Sequence, residues 1–112
     1  EFAEAHNNLG NILKDLGRFD EAIQSYSNAL SIKPDYVETL FSLGVVLFDN
    51  GDLEESKKTY EKAIKINPNF AEAYNNLGNV FQEKNTQKFL VFLSRNTRKT
   101  HDSLKKTLKT EK

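Results

Sequence analysis

Apolar residues over the first 85 positions come in short groups at helical spacing, separated by polar turns. Leu9, Ile12, Leu13 and Leu16 share one helical face, and Ala22, Ile23, Tyr26, Ala29 and Leu30 share another. Gly17 and Gly51 fall between such groups, where glycine permits a tight turn. Pro34 and Pro68 close the second group of each pair, because proline tolerates a first helical turn but not an interior. The pattern predicts helices over 3–17, 20–33, 37–50, 54–67 and 71–84. Asp20 and Asp52 stand where N-caps are wanted, followed by acidic residues that suit a helix N-terminus.

The groups repeat. Ala3-Glu4-Ala5-His6-Asn7-Asn8-Leu9-Gly10-Asn11 returns as Ala71-Glu72-Ala73-Tyr74-Asn75-Asn76-Leu77-Gly78-Asn79, identical at eight of nine positions and offset by 68 residues, twice 34. Halfway between them, Val37 to Val45 keeps the glutamate and the Leu-Gly pair. Ile32-Lys33-Pro34-Asp35-Tyr36 returns as Ile66-Asn67-Pro68-Asn69-Phe70. A fixed period of this length means stacked helix pairs, none of which buries its apolar face alone. The expected organisation is all-α, with repeats over 3–36 and 37–70 and a partial one over 71–85. Gly10, Gly44 and Gly78 lie inside helices, where glycine costs about 1 kcal/mol relative to alanine. A repeated cost implies a repeated cause, expected to be close approach of the paired helix opposite Ala22, Ser56 or Ala29.

Charge separates the last quarter from the rest. The 112 residues balance 16 basic against 16 acidic groups. Residues 1–83 hold 7 basic and 14 acidic groups, a net −7, whereas residues 84–112 hold 9 and 2, a net +7. Residues 86–112 therefore read as an atypical basic tail, expected to form a short helix near 87–96 and to be disordered from about Lys99. Arg95, Arg98, Lys99, Lys105, Lys106 and Lys109 could contact phosphates, but a solubilising tail is the preferred reading over nucleic-acid binding. With no cysteine and only His6 and His101, the chain offers little for metal, thiol or triad chemistry. No cofactor and no catalytic activity are expected. The longest apolar run, Phe89 to Leu93, is far too short to span a membrane. No signal peptide opens the chain, and a cytoplasmic location is expected. The absence of methionine suggests a piece of a longer protein.

The repeated residues resemble the tetratricopeptide repeat family. Unit one carries His6, Leu9, Gly10, Leu13, Ala22, Tyr26, Ala29 and Pro34 at that family's spacing. Unit two carries Leu40, Leu43, Gly44, Leu47, Ser56, Tyr60, Ala63 and Pro68, and unit three opens with Tyr74, Leu77, Gly78 and Phe81. Unit three departs after Asn85, which replaces the turn glycine. The resemblance implies a right-handed superhelical stack of antiparallel helix pairs, about two and a half repeats long. It also implies a protein-interaction module, with first helices lining a concave groove. The Asn-Asn-Leu-Gly-Asn motif further resembles repeats in the superhelical arm of O-linked N-acetylglucosamine transferases, which implies an alternative role as a substrate-recognition arm. A carboxylate clamp of the kind some members use is rejected: of its slots Asn7, Asn11, Ser42, Glu72 and Asn76, only Asn11 fits.

Helical spacing places Asn7, Asn8, Asn11, Phe41, Ser42, Val45, Asn75, Asn76 and Asn79 on the groove side as candidate ligand contacts. Asparagine carries a donor and an acceptor and can grip a peptide backbone, while Phe41, Val45 and Phe48 add an apolar stripe. The acidic first helices favour a neutral or basic protein or peptide ligand. Self-association through an uncapped C-terminal end is left open. Under A-rich codons, Leu93 to Lys99 read one nucleotide over spells Tyr-Gln-Glu-Thr-Leu-Glu, suited to a second helix. A frame shift between Asn85 and Leu93 is therefore suspected.

Overall fold

Wherever apolar groups recur at helical spacing, the chain is helical. The computed structural model describes residues 1–110 and contains five helices: α1 (Phe2–Asp15), α2 (Phe19–Ile32), α3 (Val37–Asp49), α4 (Leu53–Ile66) and α5 (Ala71–Thr110). No strand occurs among the described residues. The chain divides into two units, Glu1–Phe81 and Gln82–Lys112.

In the first unit, α1 pairs with α2 and α3 with α4, and α2 packs on α3 to stack the pairs. Leu13, Ala22, Tyr26, Leu43, Val46 and Leu47 form one buried cluster, and Leu53, Tyr60, Ala73 and Val80 form the next. The expected faces of α2 and α4 are those that pack: Ala22, Tyr26, Ala29, Ser56, Tyr60 and Ala63 are all buried. The α1 face is only partly used. Leu13 is buried, but Leu9, Ile12 and Leu16 are exposed. Leu43, at the Leu9 slot of the next repeat, is buried on the far side by the preceding pair. No described helix covers that side of α1.

Both tight turns are Schellman motifs. Gly17 has φ +75° and Gly51 φ +85°. The Gly17 N–H donates to the Lys14 carbonyl and the Arg18 N–H to the Leu13 carbonyl. Gly51 and Asp52 repeat this with Phe48 and Leu47. The N-cap expectation holds in position at Asp52 and needs correction at Asp20. Arg18 caps α2, so Asp20 lies inside its first turn. Asp52 does occupy the α4 cap, but its carboxylate makes no capping bond and instead accepts from Asn50 Nδ2 at 2.9 Å.

The interior glycines answer to a tyrosine rather than to small residues. A Cβ on Gly10 would lie 2.6 Å from the Tyr26 ring, and one on Gly44 the same distance from the Tyr60 ring. Ser56 contributes differently, by donating its hydroxyl to the Gly44 carbonyl at 2.8 Å. A Cβ on Gly78 would meet nothing within 4 Å.

The second unit corrects the expectation for the tail. In place of a short helix near 87–96 and disorder from Lys99, α5 is helical through Thr110. The reason is local. Asn85 replaces the turn glycine, and neither glycine nor proline occurs after Gly78. Nothing in the backbone chemistry interrupts the hydrogen-bond ladder. The Thr86, Thr100 and Thr107 hydroxyls bond to the carbonyls four residues earlier. Residues 85–109 are all exposed, including Phe89 to Leu93.

Gly10→Ala and Gly44→Ala should each destabilise the protein by about 1–3 kcal/mol, the usual cost of overpacking a filled core. Gly78→Ala should stabilise it by up to about 1 kcal/mol through helix propensity alone. Thermal or urea denaturation of the three variants separates the signs.

Candidate functional site

The face made by α1, α3 and the start of α5 was expected to present nine ligand contacts. The structure sorts them into three groups. Asn7 is withdrawn from the surface: it is buried, and its Oδ1 accepts from the buried Thr39 hydroxyl at 2.7 Å. This bond ties α1 to α3 across the pair boundary. Phe41, at the same slot one repeat on, is also largely structural. Its ring stacks on Phe70 at 5.0 Å between centroids and tilts against Tyr60 at 5.9 Å.

The second group surrounds the two core tyrosines. Tyr26 is fully buried; its hydroxyl donates to Asn11 Oδ1 at 2.6 Å and also hydrogen-bonds the Ser42 side chain. Tyr60 repeats the arrangement with Asn76, whose Nδ2 donates to the tyrosine oxygen at 3.3 Å. Ser42 and Asn76 occupy the same slot of successive repeats. Each second-helix tyrosine is therefore gripped by the first helix of the following repeat. Val45 stands at the Asn11 slot and offers Tyr60 no hydrogen bond. Burial pushes the Tyr26 hydroxyl up to about 12, with the Ser42 bond opposing and Asp15 adding to the rise. Burial likewise pushes Tyr60 up to about 12, with the Asn76 bond opposing and Asp49 adding.

The third group is accessible. Asn8, Asn75 and Asn79 are exposed. Val45, Phe48, Tyr60, Asn76 and Asn79 line one depression of about 100 Å³. This brings three of the nine expected residues together, Val45, Asn76 and Asn79, beside Phe48. Asn8 and Asn75 lie outside it. Tyr60 is the lining residue that the groove-side spacing does not pick out, because it stands on the packing face of the second helix. The sixteen-residue spacing from each tyrosine to a polar residue, Tyr26 to Ser42 and Tyr60 to Asn76, was the available signal. The depression offers one apolar wall and amide groups at its rim, suited to a small side chain and the backbone beside it. Among the described residues, no group of three or more His, Cys, Asp or Glu is placed to hold a metal ion.

Asn7→Ala should destabilise by about 1–3 kcal/mol, because it leaves the buried Thr39 hydroxyl unpartnered. Asn75→Ala, the same substitution at an exposed site, should change the melting temperature little. Alkaline titration tests the tyrosines. Their folded pKa lies above the usual 10, so the stability they contribute is whole below pH 10 and is lost between pH 10 and about 12. Tyrosinate absorbance of Tyr26 and Tyr60 should accordingly appear together with loss of helical circular dichroism, whereas ionisation of both in the folded protein near pH 10 would contradict the burial.

A TPR-repeat family model matches residues 10–51 and 46–85. Two crystal structures of MamA share the fold. One aligns with a TM-score of 0.73 at 29% identity, covering 74% of this chain and 48% of that one. The other aligns with a TM-score of 0.73 at 28% identity, covering 80% and 49%. The chain thus spans about half the length of these structures. No curated protein sequence matches it. No described helix is long and apolar enough to cross a membrane. TPR-repeat scaffolds are protein-interaction modules, and their helix pairs, interior glycines and second-helix tyrosines are those laid out above. This chain belongs to the TPR-repeat family.

Proposed function

We propose that the face formed by α1, α3 and the first turns of α5 binds a peptide segment of a partner protein, with the Val45–Phe48–Tyr60–Asn76–Asn79 depression as its anchor. The observation that carries this reading is the depression itself. It sets two amide side chains beside an apolar wall on the side of the first helices. Asn79 is exposed, so its amide can bond a peptide backbone at little desolvation cost. Asn76 holds Tyr60 through its amide nitrogen, and its oxygen is the group that remains to accept from a ligand N–H. One residue thus couples ligand contact to the repeat packing.

Charge sets the ligand class. Glu4, Asp15, Glu38, Asp49 and Glu72 are exposed on these three helices. They favour a neutral or basic segment and repel an acidic one. The chemistry is recognition rather than turnover. Asn76 and Asn79 are poor acids and bases, and the two perturbed tyrosines are pushed further from neutrality.

A panel of neutral, basic and acidic peptides displayed on an array tests the reading. Neutral or basic sequences should be retained, more weakly as salt rises. Asn79→Ala should weaken the best binder about fivefold, the usual effect of one lost hydrogen bond, without lowering the melting temperature. Asn76→Ala should weaken it similarly and also destabilise the fold by about 1 kcal/mol. Preference for acidic peptides, or indifference to both substitutions, would refute the proposal.

A further inference from the structure

The first turns of α5 leave one face open, separate from the depression. The evidence is the series of equivalent positions along the repeats. At the glycine slot, Gly10 and Gly44 are each covered by a tyrosine ring, and Gly78 is covered by nothing within 4 Å. The large residues flanking that slot follow suit. Leu40 is 2% exposed, yet Tyr74 at the same slot is 51% exposed. Leu47 is 7% exposed, yet Phe81 is 45% exposed. Val80 is fully buried, so the opposite side of this segment is already packed against the preceding pair.

What belongs on this face can be read from the two interfaces that continue into it. In both, the covering element is an antiparallel helix carrying a small residue, a tyrosine four positions on, and a second small residue three further. These are Ala22, Tyr26 and Ala29 in α2, and Ser56, Tyr60 and Ala63 in α4, all buried. The small residues let the backbones approach, and the ring fills the space where a Cβ would otherwise be. Asn85, at the slot of Gly17 and Gly51, is helical, and no sixth helix occurs among the described residues. The chain does not itself present such a helix after a turn at that slot.

We infer that the Tyr74–Gly78–Phe81 face of α5 is a docking site for a partner protein's helix of the pattern small–x3–Tyr–x2–small, its tyrosine ring seated on Gly78. Tyr74 and Phe81 flank the ring above and below. Glycine at position 78 weakens the helix relative to alanine, and nothing within the described chain offsets that. Seating of the ring supplies the offset, as it does at Gly10 and Gly44.

The test uses the full chain and a fluorescent peptide of residues 52–67, which carries Ser56, Tyr60 and Ala63. A cross-link between positions 61 and 65, both exposed in α4, holds it helical. The peptide should bind saturably in an anisotropy titration. A peptide with Tyr60→Ala should bind at least about tenfold more weakly, as expected for an aromatic anchor. In the protein, Gly78→Leu should abolish binding yet melt no lower than the parent, since the site is empty space. Asn79→Ala should leave the peptide's affinity unchanged, which separates this site from the depression. Absence of saturable binding, or equal binding by the Gly78→Leu protein, would overturn the inference. A dimer of the chain alone that Gly78→Leu dissolves would assign the face to a second copy and overturn it as well.

Discussion

Both complete repeats in this protein depend on one steric contact, a tyrosine ring lying where the Cβ of a helical glycine would be. At 2.6 Å, any side chain at Gly10 or Gly44 would collide with Tyr26 or Tyr60. The glycine costs its helix about 1 kcal/mol. Burying a large apolar side chain returns about 1.5–3 kcal/mol. The balance favours the close pair. Closeness also fixes which residues can face the ring, and the clusters around Tyr26 and Tyr60 follow from it.

Burying tyrosine creates a polar obligation, because a hydroxyl removed from water needs a partner. Asn11 and Ser42 meet it for Tyr26, and Asn76 meets it for Tyr60. These residues sit on the same helices that line the proposed peptide site. Polar residues on that face are therefore part of the packing as well as of the surface. A ligand that engaged Asn76 at the proposed site would act on the junction between α4 and α5, and binding there would be linked to repeat stability through a single amide.

The same economy of means decides where the stack stops. A left-handed glycine at Gly17 and at Gly51 closes each Schellman turn and sends the chain back along its partner. At Asn85 the slot holds a residue that stays helical, and the ladder runs to Thr110. The tyrosine's partner glycine persists at Gly78 after the tyrosine itself has gone, which leaves an interface made on one side only.

The repeat period, the boundaries of the first four helices to within about two residues, the start of the fifth, the turn glycines and the second-helix faces were all determined by sequence alone, because each rests on a property one residue carries by itself. Spacing of leucines sets a helical face, glycine permits positive φ, and proline ends a helix. Asn79 and Val45 could be placed on the first-helix side for the same reason. Tertiary structure decided what sequence could not. Asn7 and Asn75 are the same residue in the same motif, yet Thr39 buries one and leaves the other exposed. Gly10, Gly44 and Gly78 look alike along the chain, yet only two have a tyrosine against them. Leu9 and Leu43 share a slot, but only Leu43 has a helix pair on its far side. In each case the difference lies in which neighbour is present, a fact of three-dimensional contact that no local pattern of residue types contains.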